Sequence, residues 1–544
     1  MKLHPFYNLE MTISPREQLL KMQRIILRQL KASVHKLQGA QTAQIVRYYK
    51  AYKREFRDYQ KISNKAELIK ALRDAQIIFG GDFHAFAQSQ RTHLRILRDL
   101  IKGKRSLILA LEAIESQNQK HIDNYLQGHI DDETFLKRIN YSGSWGFPWS
   151  NYKVLFDFAK AHKIPVKGIN LSGQRTGRHD LNRRDSHSAT EIVKIHREDP
   201  KALVYVIYGD LHLASSHLPK LIKRHLNNGH SVKTITIFQN SESLYWRLAK
   251  KNLEEKVDVL KLRSDAYCIV NSPPWLKWQA YLQFLENSVD ADKSESKDFI
   301  DYSDHIFQFI NLIKDLWGIK GSFADYHVYS STEVKFAEFL GRSVTKRELK
   351  WLAKFIQLNR SFFISNPPIF YLTSVDVNHV AALAGQYIHS KLRREKGIHC
   401  NFPQDFTVSV WLEAVGFFSS KLVNSRRKFN TIKDLPVSHQ ATLIVLEQKL
   451  REAISSKTQK SLKRLRPNLN KKSYDYYEAS RIMGAQLGNK MYLAFRNGKL
   501  DRQTLHYWLK RKVEAGTEFS KFYMDVIKFH GHISAPERSK NERL

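Results

Sequence analysis

Two stretches of sequence decide the fold: Gln76-Ile-Ile-Phe-Gly-Gly-Asp-Phe-His84 and Val206-Ile-Tyr-Gly-Asp-Leu-His212. In each, an apolar run ends at glycine and is followed by aspartate and, two residues later, by histidine. A short apolar run bounded by glycine predicts a buried strand. Ligands collect beyond the carboxyl ends of parallel strands. The repeated turn therefore predicts a polar site at one edge of a sheet.

Further apolar runs predict the rest of this sheet. The intervening segments carry helical spacing, as in Leu94, Leu97, Leu100 and Ile101. Strands that alternate with helices indicate a parallel sheet with helices on both faces. We therefore predict an α/β fold with a largely parallel or mixed sheet covered by helices. The other predicted strands are 106–112, 165–170, 202–208, 232–238 and 266–271.

The regions on either side of this domain are predicted to be helical. Ser14 and Glu17 form a capping box that opens an amphipathic run, and we expect residues 1–63 to form basic helices. Residues 64–286 form the predicted α/β domain. After a boundary between about 286 and 300, residues 300–544 have almost purely helical patterns. We predict an all-α domain there and assign it no role.

Composition limits the classes of protein to consider. No stretch approaches the roughly 20 apolar residues of a membrane-spanning helix, and Met1 to Thr12 lack a signal-peptide core or lipobox. With only two cysteines, a cytoplasmic location is the expectation. The 89 Lys and Arg against 53 Asp and Glu give a net charge of +36. Such a field attracts phosphates, nucleic acid or an anionic membrane surface.

The candidate site consists of four side chains that follow or end strands: Asp82, His84, Glu112 and His212. Glu112 closes an apolar run, and burial of a carboxylate without a partner would cost several kcal/mol. A histidine or a cation is therefore expected beside it. An acid and an imidazole in each glycine turn can move protons or hold a metal.

These residues, with Trp145-Gly-Phe-Pro-Trp149, Tyr152 and Arg184-Asp185, resemble the ChaN-like haem-binding domain of the Tiki superfamily. Its relatives include TIKI and TraB proteins and, more distantly, erythromycin esterases. In that superfamily one strand ends in Gly-x-x-His, a second ends in glutamate, and a late strand ends in another such turn. The resemblance extends from about residue 65 to 285.

The resemblance implies a haem-binding or iron-cofactor-binding protein. His84 or His212 would ligate iron, and Trp145, Trp149 and Tyr152 would cover the ring. Arg184 would then pair with a propionate of the cofactor.

Two other functions remain open. In a metal-dependent hydrolase of the TIKI type, His84, Glu112 and His212 would hold a divalent ion, and Asp82 or Glu112 would act as the base. In a non-catalytic scaffold, the basic helices would dock on nucleic acid or an anionic membrane. The sequence does not assign a substrate, an oligomeric state or activity.

Overall fold

The computed structural model describes residues 14–103, 105–172, 181–226, 232–293, 303–330, 352–353, 355–357, 360–365, 367–373, 376–393, 406–430, 434, 474–512, 517–531, 533 and 543–544. The chain divides into two compact units. The first, the α/β unit, comprises Ile26–Lys293 with Arg543–Leu544, and the second, the helical unit, comprises Met1–Ile25 with Ser294–Glu542. Residues 1–13, where the absence of a leader was predicted, lie outside the described residues.

An eight-stranded sheet forms the centre of the α/β unit, in the order β1-β7-β8-β6-β2-β5-β3-β4. The strands are β1 Lys61–Ser63, β2 Ile77–Asp82, β3 Leu107–Glu115, β4 Val166–Asn170, β5 Leu203–Gly209, β6 Thr234–Gln239, β7 Val259–Arg263 and β8 Ala266–Ile269. The strands from β8 to β4 in this order pair in parallel. β7 pairs antiparallel with both β1 and β8. The predicted mixed sheet is confirmed.

Helices cover this sheet, as the alternating pattern predicted. They are α1 Pro15–Gln38, α2 Ala43–Arg54, α3 Lys65–Arg73, α4 Ala87–Leu100, α5 Gln119–Leu126, α6 Asp132–Arg138, α7 Tyr141–Ser144, α8 Trp149–Ala161, α9 Leu181–Glu198, α10 Leu218–Leu226, α11 Glu242–Lys250 and α12 Pro274–Lys293. Capping explains where two of them begin. The amide of Glu17 donates to Ser14 Oγ before α1, and the amide of Glu67 donates to Asn64 Oδ1 before α3.

Strand register brings the predicted turns to one edge of the sheet. Asp82 at the end of β2 pairs with Gly209 at the end of β5, and Leu111 of β3 pairs with Ile207 of β5. Glu112 therefore lies where the ladder between β3 and β5 stops. It does not end its strand as predicted, because β3 continues to Glu115 with a register shift against β4.

The helical unit contains α13 Ser303–Trp317, α14 Val377–Arg393, α15 Phe406–Val423, α16 Tyr474–Arg496, α17 Arg502–Lys510 and α18 Thr517–Gly531. Its core includes Trp317, Tyr387, Trp411 and Phe418. The region is helical as predicted, but the all-α description needs correction.

A three-stranded sheet is also present in this unit, in the order β10-β11-β9. The strands are β9 His327–Ser330, β10 Phe362–Ser365 and β11 Pro368–Leu372. Phe363 of β10 and Phe370 and Leu372 of β11 pack against the helical core, so tertiary contacts stabilise this short hairpin. Among the described helices, none has the length and apolar character needed to cross a membrane.

Candidate functional site

A cleft of about 1030 Å³ opens at the carboxyl edge of the α/β sheet. The turns after β2 and β5 form its polar floor, and side chains of α1, α2, α11 and α12 form its walls. Its size lies at the upper end of the roughly 300–1,000 Å³ typical of small-molecule sites. The aromatic side chains of the lining are Tyr49, Tyr52, Phe56, Phe83, Phe147, Trp246, Trp278 and Tyr281.

Asp82 is a buried carboxylate that holds the first histidine of the site. Its Oδ2 accepts hydrogen bonds from His84 Nδ1 at 3.0 Å and from the Tyr152 hydroxyl at 2.8 Å. Its Oδ1 accepts from Gln90 Nε2 at 2.6 Å. Burial alone would raise the pKa of Asp82, but the hydrogen bond and positive charge of His84 hold it below the ordinary value. Asp82 is therefore an anchored anion.

His84 extends from this anchor into the cleft. Its side chain is 22% exposed, and its Nε2 lies 3.8 Å from Glu112 Oε2. The ring lies edge-on to Trp145, with centroids 4.6 Å apart, and is tilted against Phe147 at 4.9 Å. Burial favours the neutral ring, but the hydrogen bond and charge of Asp82 and the charge of Glu112 together raise the pKa of His84.

Glu112 is compensated by a cation, as the sequence predicted for a buried carboxylate. Its Oε1 forms an ion pair with the guanidinium of Arg184. Its Oε2 accepts from the Gly209 amide at 2.6 Å. A Cβ at Gly209 would lie 3.1 Å from His84 Nε2 and 3.3 Å from Glu112 Oε2, so glycine allows both side chains to approach β5 closely.

His212 forms a second imidazole–carboxylate pair. Its Nδ1 donates to Oδ1 of the buried Asp185 at 2.5 Å, and the Tyr48 hydroxyl donates to Asp185 Oδ2 at 2.9 Å. The ring lies edge-on to Tyr48 and Tyr208. His84 and His212 thus both have Nδ1 held by a buried carboxylate, which places the proton of the neutral ring on Nδ1 and the lone pair on Nε2.

Asp210, the acid of the second glycine turn, and Lys277, which the sequence did not single out, also line the cleft. Asp210 accepts from the Tyr52 hydroxyl at 3.3 Å, and burial raises its pKa to about 6. Lys277 lies in the first turn of α12. The charges of Asp210 and Lys277 act on one another.

Two of the three predicted aromatic residues belong to the site, and the third lies in the core. Trp145 contacts His84, and Tyr152 donates to Asp82, so both belong to the site. Trp149 packs instead in a cluster with Tyr125, Phe135, Tyr141 and Phe156, and it does not line the cleft. The cause is that Trp149 opens α8, whereas Trp145 precedes the turn at Gly146.

The predicted metal trio needs correction. His84 and Glu112 are near one another, but His212 is hydrogen-bonded to Asp185, and Glu112 is already paired with Arg184. In the part of the chain that the structure describes, no three His, Cys, Asp or Glu side chains form a possible metal-ion site. Arg184 also donates from Nε to Asn170 Oδ1 at 3.3 Å, so its main partners are protein groups.

Tyr48 and Tyr52 lie on α2 and contact the site from more than 130 residues away. Their four-residue spacing on an amphipathic helix is the signal that could have paired them on one face. Asp185 and Asp210 stood within the quoted motifs, but only the fold shows which contacts they make.

The fold and the cleft define a class: an α/β protein with a ligand-sized site at the carboxyl edge of its sheet. Residues 68–178 match the family model "Haem-binding uptake, Tiki superfamily, ChaN". The predicted resemblance to ChaN-like domains is therefore confirmed for this segment, which contains β2, β3 and β4. No curated protein is significantly similar to the chain.

Solved structures that resemble part of this chain at low identity include the following three. ChaN of Campylobacter jejuni, whose structure shows cofacial haem binding, is 16% identical, with a TM-score of 0.27, 39% of this chain covered and 93% of that chain. The type III effector HopBA1 is 12% identical, with a TM-score of 0.27 and coverages of 39% and 97%.

The third is the C-terminal region of Pasteurella multocida toxin, for which a thiol-protease-like catalytic triad is described. It is 14% identical, with a TM-score of 0.23, and the match covers 35% of this chain and 26% of that chain.

Proposed function

We propose that the cleft of the α/β unit binds haem or a closely related iron porphyrin. The observation that carries the proposal is the position of His84. Its Nδ1 is held by a buried carboxylate, its ring contacts the rings of Trp145 and Phe147, and its side chain is partly exposed to an aromatic-lined cleft. The match of residues 68–178 to a haem-binding family supports the same ligand.

The residues of the cleft fit such a cofactor. A histidine that donates from Nδ1 to a carboxylate has its proton placed there, so the Nε2 lone pair of His84 would be able to ligate iron. Haem iron, when bound, would supply redox chemistry and the coordination of small molecules. The protein would supply the imidazole ligand, an apolar aromatic surface and cationic side chains near the site.

Each polar group on the floor then has a positioning task. Asp82 orients His84, and Tyr152 and Gln90 in turn hold Asp82. Arg184 neutralises Glu112, which reduces the repulsion between the floor of the cleft and an anionic porphyrin. His212, held by Asp185, is the second imidazole available at the same edge. A metal-dependent hydrolase is less well supported, because the described residues do not form its metal trio.

The test is a titration of the full chain with ferric haem, followed in the Soret region, beside His84→Ala and His129→Ala. His129 is an exposed histidine outside the cleft and therefore a matched control. We expect saturable one-site binding in the wild type and the control, with weaker binding and a shifted Soret band in His84→Ala. Identical spectra and affinities in all three proteins would contradict the assignment of His84.

A further inference from the structure

Lys277 is a largely buried lysine whose side chain lines the cleft. The residue is 8% exposed, and its ammonium group makes no hydrogen bond or ion pair with the residues that the structure describes. Its Nζ lies 5.4 Å from the centroid of the Phe83 ring. Removing a charge from water without an ion-pair partner costs free energy, so folding stability does not explain a lysine at this position.

The two carboxylates whose charges act most strongly on Lys277 each have another contact. Glu242 forms an ion pair with Lys31, and Asp210 accepts from Tyr52. Burial lowers the pKa of the Lys277 ammonium, and the charges of Asp210 and Glu242 oppose that effect only in part. Neither carboxylate forms a hydrogen bond or an ion pair with Lys277 among the described residues, so its ammonium group remains able to bind an anion in the cleft.

The position of Lys277 in its helix also favours a bound anion. It is the fourth residue of α12, which begins at Pro274. The amino-terminal end of a helix carries a partial positive charge, so a cation there is unfavourable and an anion is favourable. An anion in the cleft beside Lys277 would interact well with both the ammonium group and the helix end.

The surroundings specify what kind of anion fits. Phe83, Trp278 and Tyr281 line the cleft beside Lys277. A small inorganic ion would lose its hydration against these rings without compensation. An anionic group on an apolar, flat body would place its charge at Lys277 and its body against the aromatic side chains.

We propose that Lys277 is the anchor for a carboxylate of the cleft's ligand, at the point where its ammonium group lies over the ring of Phe83. The inference rests on the proposed function and deepens it, because it assigns one porphyrin propionate to a named residue. It also replaces Arg184 in that task, since Arg184 is paired with Glu112 and hydrogen-bonded to Asn170.

Metal-free protoporphyrin IX and its dimethyl ester test this inference without iron ligation. The two compounds have the same ring, but the ester has no carboxylate. Both would be titrated into the full-length wild type, Lys277→Met and Lys261→Met, with porphyrin fluorescence as the readout. Lys261 is a matched control, because it also lies over an aromatic ring, that of Tyr267 at 6.0 Å, but outside the cleft.

We expect the wild type and Lys261→Met to bind the acid roughly tenfold to a hundredfold more tightly than the ester, as for a charge-assisted hydrogen bond. Lys277→Met should bind both compounds with the affinity of the ester. Ligand-free Lys277→Met should melt at the same temperature as the wild type or higher, because an unpaired buried charge is removed. A strongly lowered melting temperature would assign Lys277 a structural role and overturn the inference.

Two further outcomes separate the inference from the proposed function. If the wild type binds haem but does not prefer the acid over the ester, or if Lys277→Met keeps that preference, the anchor is refuted and the haem site stands. If the wild type binds neither haem nor either porphyrin, the proposed function fails and the inference fails with it.

Discussion

Replacement of Arg184 by methionine tests how much the buried ion pair of Arg184 with Glu112 stabilises the protein. The substitution keeps much of the apolar stem and removes the guanidinium from Glu112, which is 2% exposed. Loss of one partner from a buried ion pair costs about 3–5 kcal/mol, because the other charge is left uncompensated. Glu112 would keep the Gly209 amide, and His84 Nε2 lies 3.8 Å away. We therefore expect a loss of stability at the lower end of this range, about 3 kcal/mol.

Urea denaturation of the full chain, followed by fluorescence and circular dichroism, measures this loss. The double variant Glu112→Gln/Arg184→Met should recover most of the stability, because the amide accepts from Gly209 without a charge. Arg247→Met is the control, since the ion pair of Arg247 with Asp58 is exposed and should contribute less than about 1 kcal/mol. An Arg184→Met loss no larger than that of the control would refute the reasoning.

Three further outcomes follow from the same contacts. The raised pKa of His84 predicts that His84→Ala loses more stability at pH 6 than at pH 9 in urea denaturation. The interaction of the charged imidazole is fully present below pH about 6.5 and is lost as the pH rises through the raised pKa. A loss of stability that does not depend on pH would contradict this. Gly81→Ala should cost about 1–3 kcal/mol, because its Cβ would lie 2.1 Å from Asp210 Oδ1, and a loss below about 0.5 kcal/mol would contradict the packing. His212→Ala should destabilise by about 1–3 kcal/mol, since Asp185 would lose a donor, and thermal melting should show His212→Asn, which keeps a donor, to be milder.

Local sequence patterns predicted most of the α/β sheet. Six of its strands were recognised because buried parallel strands are short apolar runs that end in turn residues. β7 was missed, since Val259–Arg263 has polar residues and pairs antiparallel at the side of the sheet. β1 is only three residues long, too short to carry a pattern.

The sequence predicted which residue types lie at the candidate site, but it predicted their contacts only in part. Strand-end turns placed Asp82, His84 and His212 at one edge, because their positions depend on local sequence and sheet direction. Pairing of Arg184 with Glu112, 72 residues apart, depends on where α9 packs, which local patterns do not specify. The same limit applies to Lys277, whose burial is visible only once α12 is placed beside the cleft.

Chemical rescue of the His84→Gly variant tests the central claim most directly. The full-length variant would be loaded with ferric haem and titrated with free imidazole, beside wild type, His129→Gly and free haem at the same imidazole concentrations. The account predicts that His84→Gly lacks the wild-type Soret band and that imidazole restores it, with no change in His129→Gly. A His84→Gly spectrum identical to that of the wild type before imidazole is added would contradict ligation by His84.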